Sequence, residues 1–343
     1  MTLDILTLII FSIFFTMIII HFRKIISEKF RIIDHPIEKR KVHAKPTPLI
    51  GGIVIIINLF LINLYLILSN QISNIDILIL IFCTISFFIG LIDDIKKVSS
   101  LKKLIIIGIA YLIIGFFDKS LFLKYLFSET TSEFYYLNIF SITFTVLCIL
   151  LLVNAFNLSD GLNCLAIVIA IIWLAYIFIL FKKINSSYFV IILSLLLMIP
   201  FNFKGKFFLG DSGSLILGSL IGIVFITSYN QEFDFYKNKI SFESIFIIFM
   251  IPGLDMFRLF IERIFKRKNP FLADDKHLHH FMYKIFNLNL TLIFYFLLII
   301  IPILIEYYNL VSPIINILIT ISLYLFILSY CRRKLNFIKI EKN

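Results

Sequence analysis

Long apolar runs dominate the sequence, and most of them are long enough to cross a membrane. A spanning helix needs about 20 mostly apolar residues, because each residue adds ~1.5 Å and the hydrocarbon core is about 30 Å thick. Applied to 343 residues that are 60% hydrophobic, this criterion predicts an all-α, polytopic integral membrane protein with eleven transmembrane helices. Their predicted limits are 3–22, 49–69, 75–92, 102–117, 139–155, 162–181, 187–202, 212–229, 242–263, 288–308 and 311–331. The first run is predicted to be a retained span, because it is too long for the core of a signal peptide.

Basic residues are grouped in four segments that fall on one side of this topology, at 22–48, 96–103, 263–276 and 332–334. Because basic loops stay in the cytoplasm, the pattern predicts an outside N-terminus and a cytoplasmic C-terminus in the inner membrane. The exceptions are Lys182 and Lys183, in a loop predicted to lie outside. Basic loops of this kind indicate contact with anionic lipid and no nucleic-acid partner.

No internal repeat and no linker divide the chain, so residues 1–343 are predicted to form a single transmembrane domain. The four cysteines lie in or beside apolar runs without CxxC spacing, which indicates neither a disulfide framework nor a zinc site.

Five unusual polar motifs all lie on the predicted cytoplasmic face. They are HPIEKRKVHAKPTPLIGG at 35–52, GLIDDIKKVSS at 90–100, NAFNLSDGLN at 154–163, FNFKGKFFLGDSGS at 201–214 and NPFLADDKHLHH at 269–280. A random scatter of polar loops would not segregate in this way. The pattern therefore predicts a functional site at that face.

Three carboxylates in these motifs indicate a metal site for a phosphate substrate. Asp93 and Asp94 follow an apolar helix, where two adjacent carboxylates repel each other unless a cation or a proton lies between them. Asp211 adds a third acid on the same face, and Mg²⁺ prefers one or two carboxylates together with substrate phosphates. Two structural readings stay open, namely a solvated helix end for the pair and a simple helix cap for Asp211.

Asp211 lies between two glycines in the sequence LGDSGS. Gly210 and Gly213 allow close backbone approach, and Ser212 and Ser214 are predicted to cap the helix that follows.

Asn154, Asn157 and Asp160 are spaced three apart, which places them on one face at the end of the fifth predicted helix. Polar residues on one face at membrane depth usually line a cavity. A capping turn at Asp160-Gly161 is the alternative.

Three histidines, His277, His279 and His280, stand close together beside Asp274 and Asp275. Their spacing lacks the pattern of a zinc helix, so a contact to diphosphate or nucleotide is the favoured reading over zinc and over a plain basic loop. Lys45 belongs to the first cytoplasmic motif, which by itself resembles a lipid-facing basic loop.

Taken together, the motifs resemble those of the polyprenyl-phosphate N-acetylhexosamine-1-phosphate transferases, the membrane group that contains the MraY and WecA enzymes. The matching elements, spread over nearly the whole chain, are R-K-x-H at 40–43, P-x-x-G-G at 48–52, the aspartate pair at 93–94, N-x-x-N-x-x-D-G at 154–161, G-D-x-G-S at 210–214 and H-x-H-H at 277–280.

The resemblance implies a Mg²⁺-dependent transfer, with Mn²⁺ as the other candidate metal. Undecaprenyl phosphate would attack the β-phosphate of a UDP-N-acetylhexosamine, giving undecaprenyl-diphospho-sugar and UMP, as the first membrane step of cell-surface polysaccharide or glycan assembly. Whether the enzyme is a homodimer is left open.

The resemblance also implies residue roles. Asp211, Asp94 and Asn157 are the implied metal ligands, and Asp93 and Asp160 join Asp94 and Asp211 as the catalytic acids. Asp93 is the implied base, or the carboxylate that positions the lipid phosphate. The implied substrate contacts are Lys45, Asn154, Asn157, Asn202, His277, His279 and His280.

Two departures bear on the sugar. Lys97 gives a D-D-x-x-K element of the MraY type, whereas the H-L-H-H element at 277–280 is of the WecA type. The second element faces the sugar in this family, so we expect UDP-GlcNAc or a related UDP-N-acetylhexosamine, with phospho-MurNAc-pentapeptide transfer as the alternative. A transporter would carry polar groups at helix centres and related halves, and a non-catalytic relative would have lost the acids. Neither pattern is present.

Overall fold

The computed structural model describes residues 5–36, 45–181, 185–236, 240–270 and 275–341, and these are mostly helical. The helices are α1 Ile5–His21, α2 Arg23–Phe30, α3 Gly51–Leu68, α4 Asn74–Lys96, α5 Ser100–Phe117, α6 Ser141–Ser159, α7 Leu165–Leu180, α8 Phe189–Phe203, α9 Gly210–Tyr236, α10 Phe242–Phe265, α11 Leu278–Ile285, α12 Leu288–Tyr307 and α13 Pro313–Glu341.

Two short antiparallel strand pairs depart from the all-α prediction. Strand β1 (Ile33–Asp34) pairs with β2 (Thr47–Pro48), and β3 (Tyr125–Ser128) pairs with β4 (Glu133–Tyr136) in a hairpin. The reason is local, since short segments that connect helices satisfy their backbone groups by pairing with each other.

The apolar runs predicted from the sequence all coincide with helices, and the chain is a multi-pass membrane protein. Within the described part of the chain, eight helices are long and apolar enough to span a membrane, and a ninth span results if α1 and α2, which meet at 69°, count as one. Helices α7 and α8 are apolar but have only 16 and 15 residues. The count of eleven spans therefore stays a prediction.

The chain divides into two compact units. The first comprises residues 1–123 and 139–237, and the second comprises residues 124–138 and 238–343. The prediction of a single domain is neither supported nor contradicted by this division.

Helix α9 is the centre of the first unit. It packs against α3, α4, α6 and α7, and its spanning segment is buried along its whole length. A helix that is apolar on all sides is buried by its neighbours, and small residues let those neighbours come close. The first turn of α9 shows this most clearly, because Gly52 of α3 and Gly90 of α4 both lie against Ser212.

The second unit is built from the β3–β4 hairpin and helices α10 to α13. Helix α10 packs against α12 and α13, and α11 packs against α12 and α13. The hairpin is tied to the first turn of α10, where the hydroxyl of Ser128 donates to Oε1 of Glu243 at 2.6 Å.

Replacing Gly90 by Ala is expected to destabilise the protein. A Cβ at this position would lie 2.4 Å from Cα of Ser212, and overpacking of this kind typically costs about 1–3 kcal/mol. The measurement is thermal unfolding in detergent. The matched control is Gly253→Ala, a helical glycine with no atom within 4 Å of the added Cβ, which is expected to be neutral or stabilising. Equal melting temperatures for the two variants would contradict the close packing of α4 on α9.

Candidate active site

Four helix ends meet in the first unit and bring polar side chains together. Asp93 lies near the end of α4, Lys103 in the first turn of α5, Asn157 near the end of α6 and Asp211 in the first turn of α9. The side chain of Asp211 contacts Lys103 and Asn157 directly, and Lys103 in turn contacts Asp93. The sequence analysis predicted three of these residues as one site, and the structure brings them together.

Asp94 holds the beginning of α9. Its Oδ1 accepts from the backbone N–H of Asp211 at 2.8 Å, and its Oδ2 accepts from the backbone N–H of Ser212 at 3.0 Å and from the Ser212 hydroxyl at 2.7 Å. The first N–H groups of a helix have no partner within the helix, and a carboxylate is favourable there. Asp94 is thus a cap supplied by another helix.

This arrangement corrects the prediction that Ser212 and Ser214 cap α9. The helix begins earlier than predicted, at Gly210, so both serines lie inside its first turns. Gly210 has a φ of +77°, and a Cβ there would lie 2.9 Å from Oδ2 of Asp94. The glycine therefore gives the carboxylate room and takes the backbone conformation that starts the helix.

Lys103 is a site residue that the sequence analysis missed. Its Nζ lies 2.8 Å from Oδ2 of Asp93 and 3.2 Å from Oδ1 of Asp211, and only 7% of the residue is exposed. Two converging carboxylates repel each other, and a positive charge between them relieves that repulsion. In the sequence this lysine belongs to the basic group at 96–103, from which only the orientation of the helices is predicted. The available signal was its position in the first turn of α5, one short loop after the aspartate pair.

Asp93 accepts a second hydrogen bond from the backbone N–H of Val98, in the loop between α4 and α5. This loop contact and the Lys103 contact fix both carboxylate oxygens of Asp93. Asp93 is buried, with 3% of the residue exposed, so the carboxylate is held in one orientation.

Asn157 orients Asp211 from the other side. Its Nδ2 donates to Oδ1 of Asp211 at 2.7 Å and to the hydroxyl of Ser214 at 2.7 Å. Asn154 lies one turn earlier on α6 and is partly buried. One of the polar residues that are spaced three apart in the sequence, Asn157, therefore contacts Asp211 directly.

Asp160 caps the end of α6 beside the same acids. Burial, together with the carboxylates of Asp211, Asp94 and Asp34, raises the pKa of Asp160 well above its usual range. The physical cause is that a charged carboxylate loses hydration there and faces other negative groups. Asp34, on β1, is the third neighbouring acid and was not predicted as a site residue.

Asn202 joins two loops of the site. Its Oδ1 accepts from the backbone N–H of Cys164 at 2.6 Å, and its Nδ2 donates to the carbonyl of Phe207 at 2.9 Å. The loop after Asp160 and the loop before Asp211 are thereby held together. Both polar atoms of Asn202 bind backbone, and its predicted contact with the nucleotide stays a prediction.

Three further parts of the predicted sequence motifs lie at or beyond the limits of the described residues. Lys45 is exposed just before β2. The R-K-x-H element at 40–43 and Asp274 lie outside the described residues.

The three histidines form a cluster in the second unit, at the beginning of α11. The rings of His277 and His279 are stacked with centroids 5.4 Å apart, and the rings of His279 and His280 lie 4.3 Å apart. Nδ1 of His277 lies 2.8 Å from Oδ2 of Asp255, a buried residue of α10. Within the described part of the chain, neither ring nitrogen of His279 has a hydrogen-bond partner.

Burial and neighbouring imidazoles keep the rings of His279 and His280 neutral near pH 7. Burial and the neighbouring His277 lower the pKa of His280 to about 4. Burial and both neighbouring imidazoles lower the pKa of His279 well below its usual range. A neutral imidazole both donates and accepts, so the cluster can bind a ligand without carrying three positive charges.

Among the residues that the structure describes, no group of three or more His, Cys, Asp or Glu side chains is arranged as a metal cage. Mg²⁺ does not require one, because it binds through one or two carboxylates and takes its other ligands from substrate phosphates and water. The acids around Asp211 fit that requirement. The position of the Lys103 ammonium shows that two of these carboxylates attract a cation. The oxygen donors present are those of a hard divalent ion.

Comparison with known proteins gives a consistent result. Residues 76–229 match the family model described as glycosyl transferase family 4. The "Probable undecaprenyl-phosphate N-acetylglucosaminyl 1-phosphate transferase" of Bacillus subtilis is 32% identical over 265 residues, which cover 75% of this chain and 71% of that protein. The "Undecaprenyl-phosphate alpha-N-acetylglucosaminyl 1-phosphate transferase" of Thermotoga maritima is 25% identical over 75% of this chain and 74% of its own length.

Relatives with a different sugar substrate in their names are equally similar. The "Phospho-N-acetylmuramoyl-pentapeptide-transferase" of Prochlorococcus marinus is 33% identical over 69% of this chain and 70% of its own length.

Replacing Asp160 by Asn is expected to change how stability depends on pH. Because of the raised pKa, the folded protein holds the proton on Asp160 to a higher pH than the unfolded chain, which releases it above about pH 4. The wild type therefore loses stability from this group as pH rises, and Asn cannot ionise. We expect the melting temperature of the variant relative to wild type to rise between pH 4 and pH 7.5, with pH 4 as the internal reference. A difference that is constant over this range would contradict the raised pKa.

Proposed function

Because the chain belongs to glycosyl transferase family 4, we propose that it transfers an N-acetylhexosamine 1-phosphate from a UDP-sugar to undecaprenyl phosphate. An oxygen of the lipid phosphate attacks the β-phosphorus of the UDP-sugar, and the bond from that phosphorus to the bridging oxygen breaks. The products are undecaprenyl-diphospho-sugar and UMP. The observation that carries the proposal is the convergence of Asp93, Lys103, Asn157 and Asp211 where four membrane helices end.

The chemistry of this reaction fits such a site. Two anions must approach each other, so positive charge is needed where they meet. Lys103 provides one such charge and holds two acids in fixed positions. A lipid carrier keeps its phosphate at the membrane surface, and a site at the ends of spanning helices is within reach of that phosphate.

We propose Mg²⁺ as the cofactor, with Mn²⁺ as a substitute. Asp211 is the principal ligand in this proposal, and Asp94 and Asn157, which both contact residue 211 directly, are the other candidates. When bound, the ion screens the diphosphate and stabilises charge on the transferring phosphoryl group.

Asp93 is proposed to position the lipid phosphate or to accept its proton. A phosphate monoester is already largely ionised near neutral pH, so positioning is sufficient. The two hydrogen bonds to Asp93 support a fixed carboxylate. Lys45, Asn154, Asn202 and the three histidines are proposed as contacts to the nucleotide and diphosphate.

The sugar is proposed to be GlcNAc or a related N-acetylhexosamine, on the strength of the H-L-H-H element at 277–280. Transfer of phospho-MurNAc-pentapeptide is the second candidate, because Lys97 completes a D-D-x-x-K element and relatives of that activity reach 33% identity. A panel of UDP-sugars assayed with undecaprenyl phosphate and Mg²⁺, with UMP as the readout, separates the two.

The membrane topology is also part of the proposal. We propose eleven spans in the inner membrane, with the N-terminus outside, the C-terminus in the cytoplasm and the active site on the cytoplasmic face. The grouping of basic residues in four segments on one side supports this orientation.

Replacing Asp211 by Asn is expected to lower UMP release from UDP-GlcNAc and undecaprenyl phosphate by at least about 100-fold. Loss of a single electrostatic contact to a transition state has an effect of this order. The matched control is Asp118→Asn, at an aspartate whose Oδ1 accepts from the Ser120 N–H in a turn after α5, a role that Asn can fill. Both variants should elute and melt as folded protein. Near-normal turnover by the Asp211 variant would remove this residue from the site.

A fluorescent reporter fused after residue 343 is expected to give signal in cells, because such reporters mature in the cytoplasm. A phosphatase that is active only outside the cytoplasm is expected to be inactive at the same position. The matched fusion after Asn309, between α12 and α13, should show the opposite pattern. The reverse result at both positions would overturn the proposed orientation.

A further inference from the structure

Asp255 is a buried carboxylate in α10 to which the sequence motifs assign no role. Only 3% of the residue is exposed, and four groups donate to it. Oδ2 lies 2.8 Å from Nδ1 of His277. Oδ1 accepts from the hydroxyl of Tyr324 at 2.8 Å and from Nη2 of Arg258 at 2.8 Å. The backbone N–H of Leu278 lies 3.1 Å and 3.2 Å from the two oxygens.

These contacts fix the segment that carries the histidine cluster. The N–H of Leu278 is one of the free groups at the beginning of α11, and Asp255 caps it. Nη2 of Arg258 also donates to the carbonyl of Lys276 at 2.7 Å. The ion pair of Asp255 and Arg258 thereby holds the backbone of residues 276 and 278. His277 lies between these two residues.

A structural cap alone does not account for this arrangement. A buried ion pair contributes little to stability compared with apolar residues of similar volume, because both charges lose hydration. An uncharged side chain such as Asn would cap Leu278 equally well. The charge of Asp255 instead meets a ring nitrogen of His277, and a carboxylate at one nitrogen determines which nitrogen is left for another ligand.

The buried imidazole of His279 provides a second observation that a ligand belongs here. The residue is 1% exposed, and neither ring nitrogen has a partner in the described part of the chain. Leaving buried polar atoms without partners costs free energy, so a ligand or water that supplies a partner is favoured here. Its ring stacks on that of His277, so a ligand that reaches one ring reaches the other.

We propose that Asp255 is a positioning residue, which holds the His277 ring through Nδ1 so that Nε2 binds a phosphate oxygen of the sugar nucleotide. The inference rests on the proposed function and deepens it. With a phosphate oxygen at Nε2, the ring lies between two anions and can donate to both, Nδ1–H to Asp255 and Nε2–H to the phosphate. The Asp255 carboxylate then balances the ring charge.

Replacing Asp255 by Asn is expected to raise the KM for the UDP-sugar about 10- to 100-fold, by analogy with the loss of a carboxylate behind a metal-binding histidine. The KM for undecaprenyl phosphate should not change. The matched control is Tyr324→Phe, which removes one donor to Oδ1 and leaves the Oδ2 contact with His277. A purely structural role predicts less active enzyme, with both KM values as in wild type, and this outcome would overturn the proposal.

A pair of His277 variants tests the same point independently of whether Asp255→Asn folds. The amide nitrogen of Asn can replace Nδ1 and keep the bond to Asp255, whereas that of Gln can replace Nε2 and face the ligand. We expect His277→Gln to keep more affinity for the UDP-sugar than His277→Asn. The reverse order would show that only the Asp255 contact matters and would overturn the role of Nε2. In Asp255→Asn/His277→Asn the two effects on KM should not add.

Nitrogen NMR of protein labelled at its six histidines gives a readout that does not depend on turnover. The His277 signal, assigned with His277→Asn, should report a proton on Nδ1 in the wild type and a different tautomer distribution in Asp255→Asn. An unchanged signal would overturn the positioning role. If the wild type shows the Nδ1 proton but releases no UMP from any UDP-sugar, the proposed function fails while the Asp255 contact stands.

Discussion

The structure depends on how the N-terminus of a fully buried helix is satisfied. Helix α9 has neighbours on all sides, and its first N–H groups lack a partner within the helix. Asp94 supplies the oxygens for residues 211 and 212 from the end of α4. This one carboxylate joins two membrane helices and fixes the place of Asp211. Lys103 and Asn157 then meet Asp211 because their own helices end at the same level.

The second unit uses the same device for a different purpose. Asp255 of α10 binds the N-terminus of α11, as Asp94 of α4 binds that of α9. In both cases a carboxylate from a long membrane helix sets the position of the polar group that follows. The charge is balanced by a nearby cation, Arg258 for Asp255. In the first unit the Lys103 ammonium lies between Asp93 and Asp211. Rigid placement of charge before any ligand binds is what transfer between two anions requires.

The helical runs and the proximity of Asp93, Asn157 and Asp211 could be predicted from the sequence. Apolar length and the segregation of polar motifs to one face predict the helical runs and the grouping of Asp93, Asn157 and Asp211, because both follow from transfer into lipid. Lys103 and Asp255 were missed for a physical reason. Asp211 lies 108 residues from Lys103 and His277 lies 22 residues from Asp255, and no local pattern contains those distances. The early start of α9 depends on a tertiary contact in the same way, because Asp94 of α4 binds its first N–H groups.

Because α9 is buried on all sides, two kinds of position can be distinguished in the helices, namely exposed positions and positions packed against α9. Phe116 of α5 and Phe326 of α13 are exposed, and lipid tails accept Ile, Leu or Phe at such positions with little preference for shape. On α9, Gly218 and Gly222 lie against α6. A methyl group added at either position would press on backbone or side-chain atoms of α6 at or below van der Waals distance. Changes of lipid composition or bilayer thickness therefore act first on such exposed positions. The first turn of α9, which carries Asp211, is held by contacts with α3, α4 and α6.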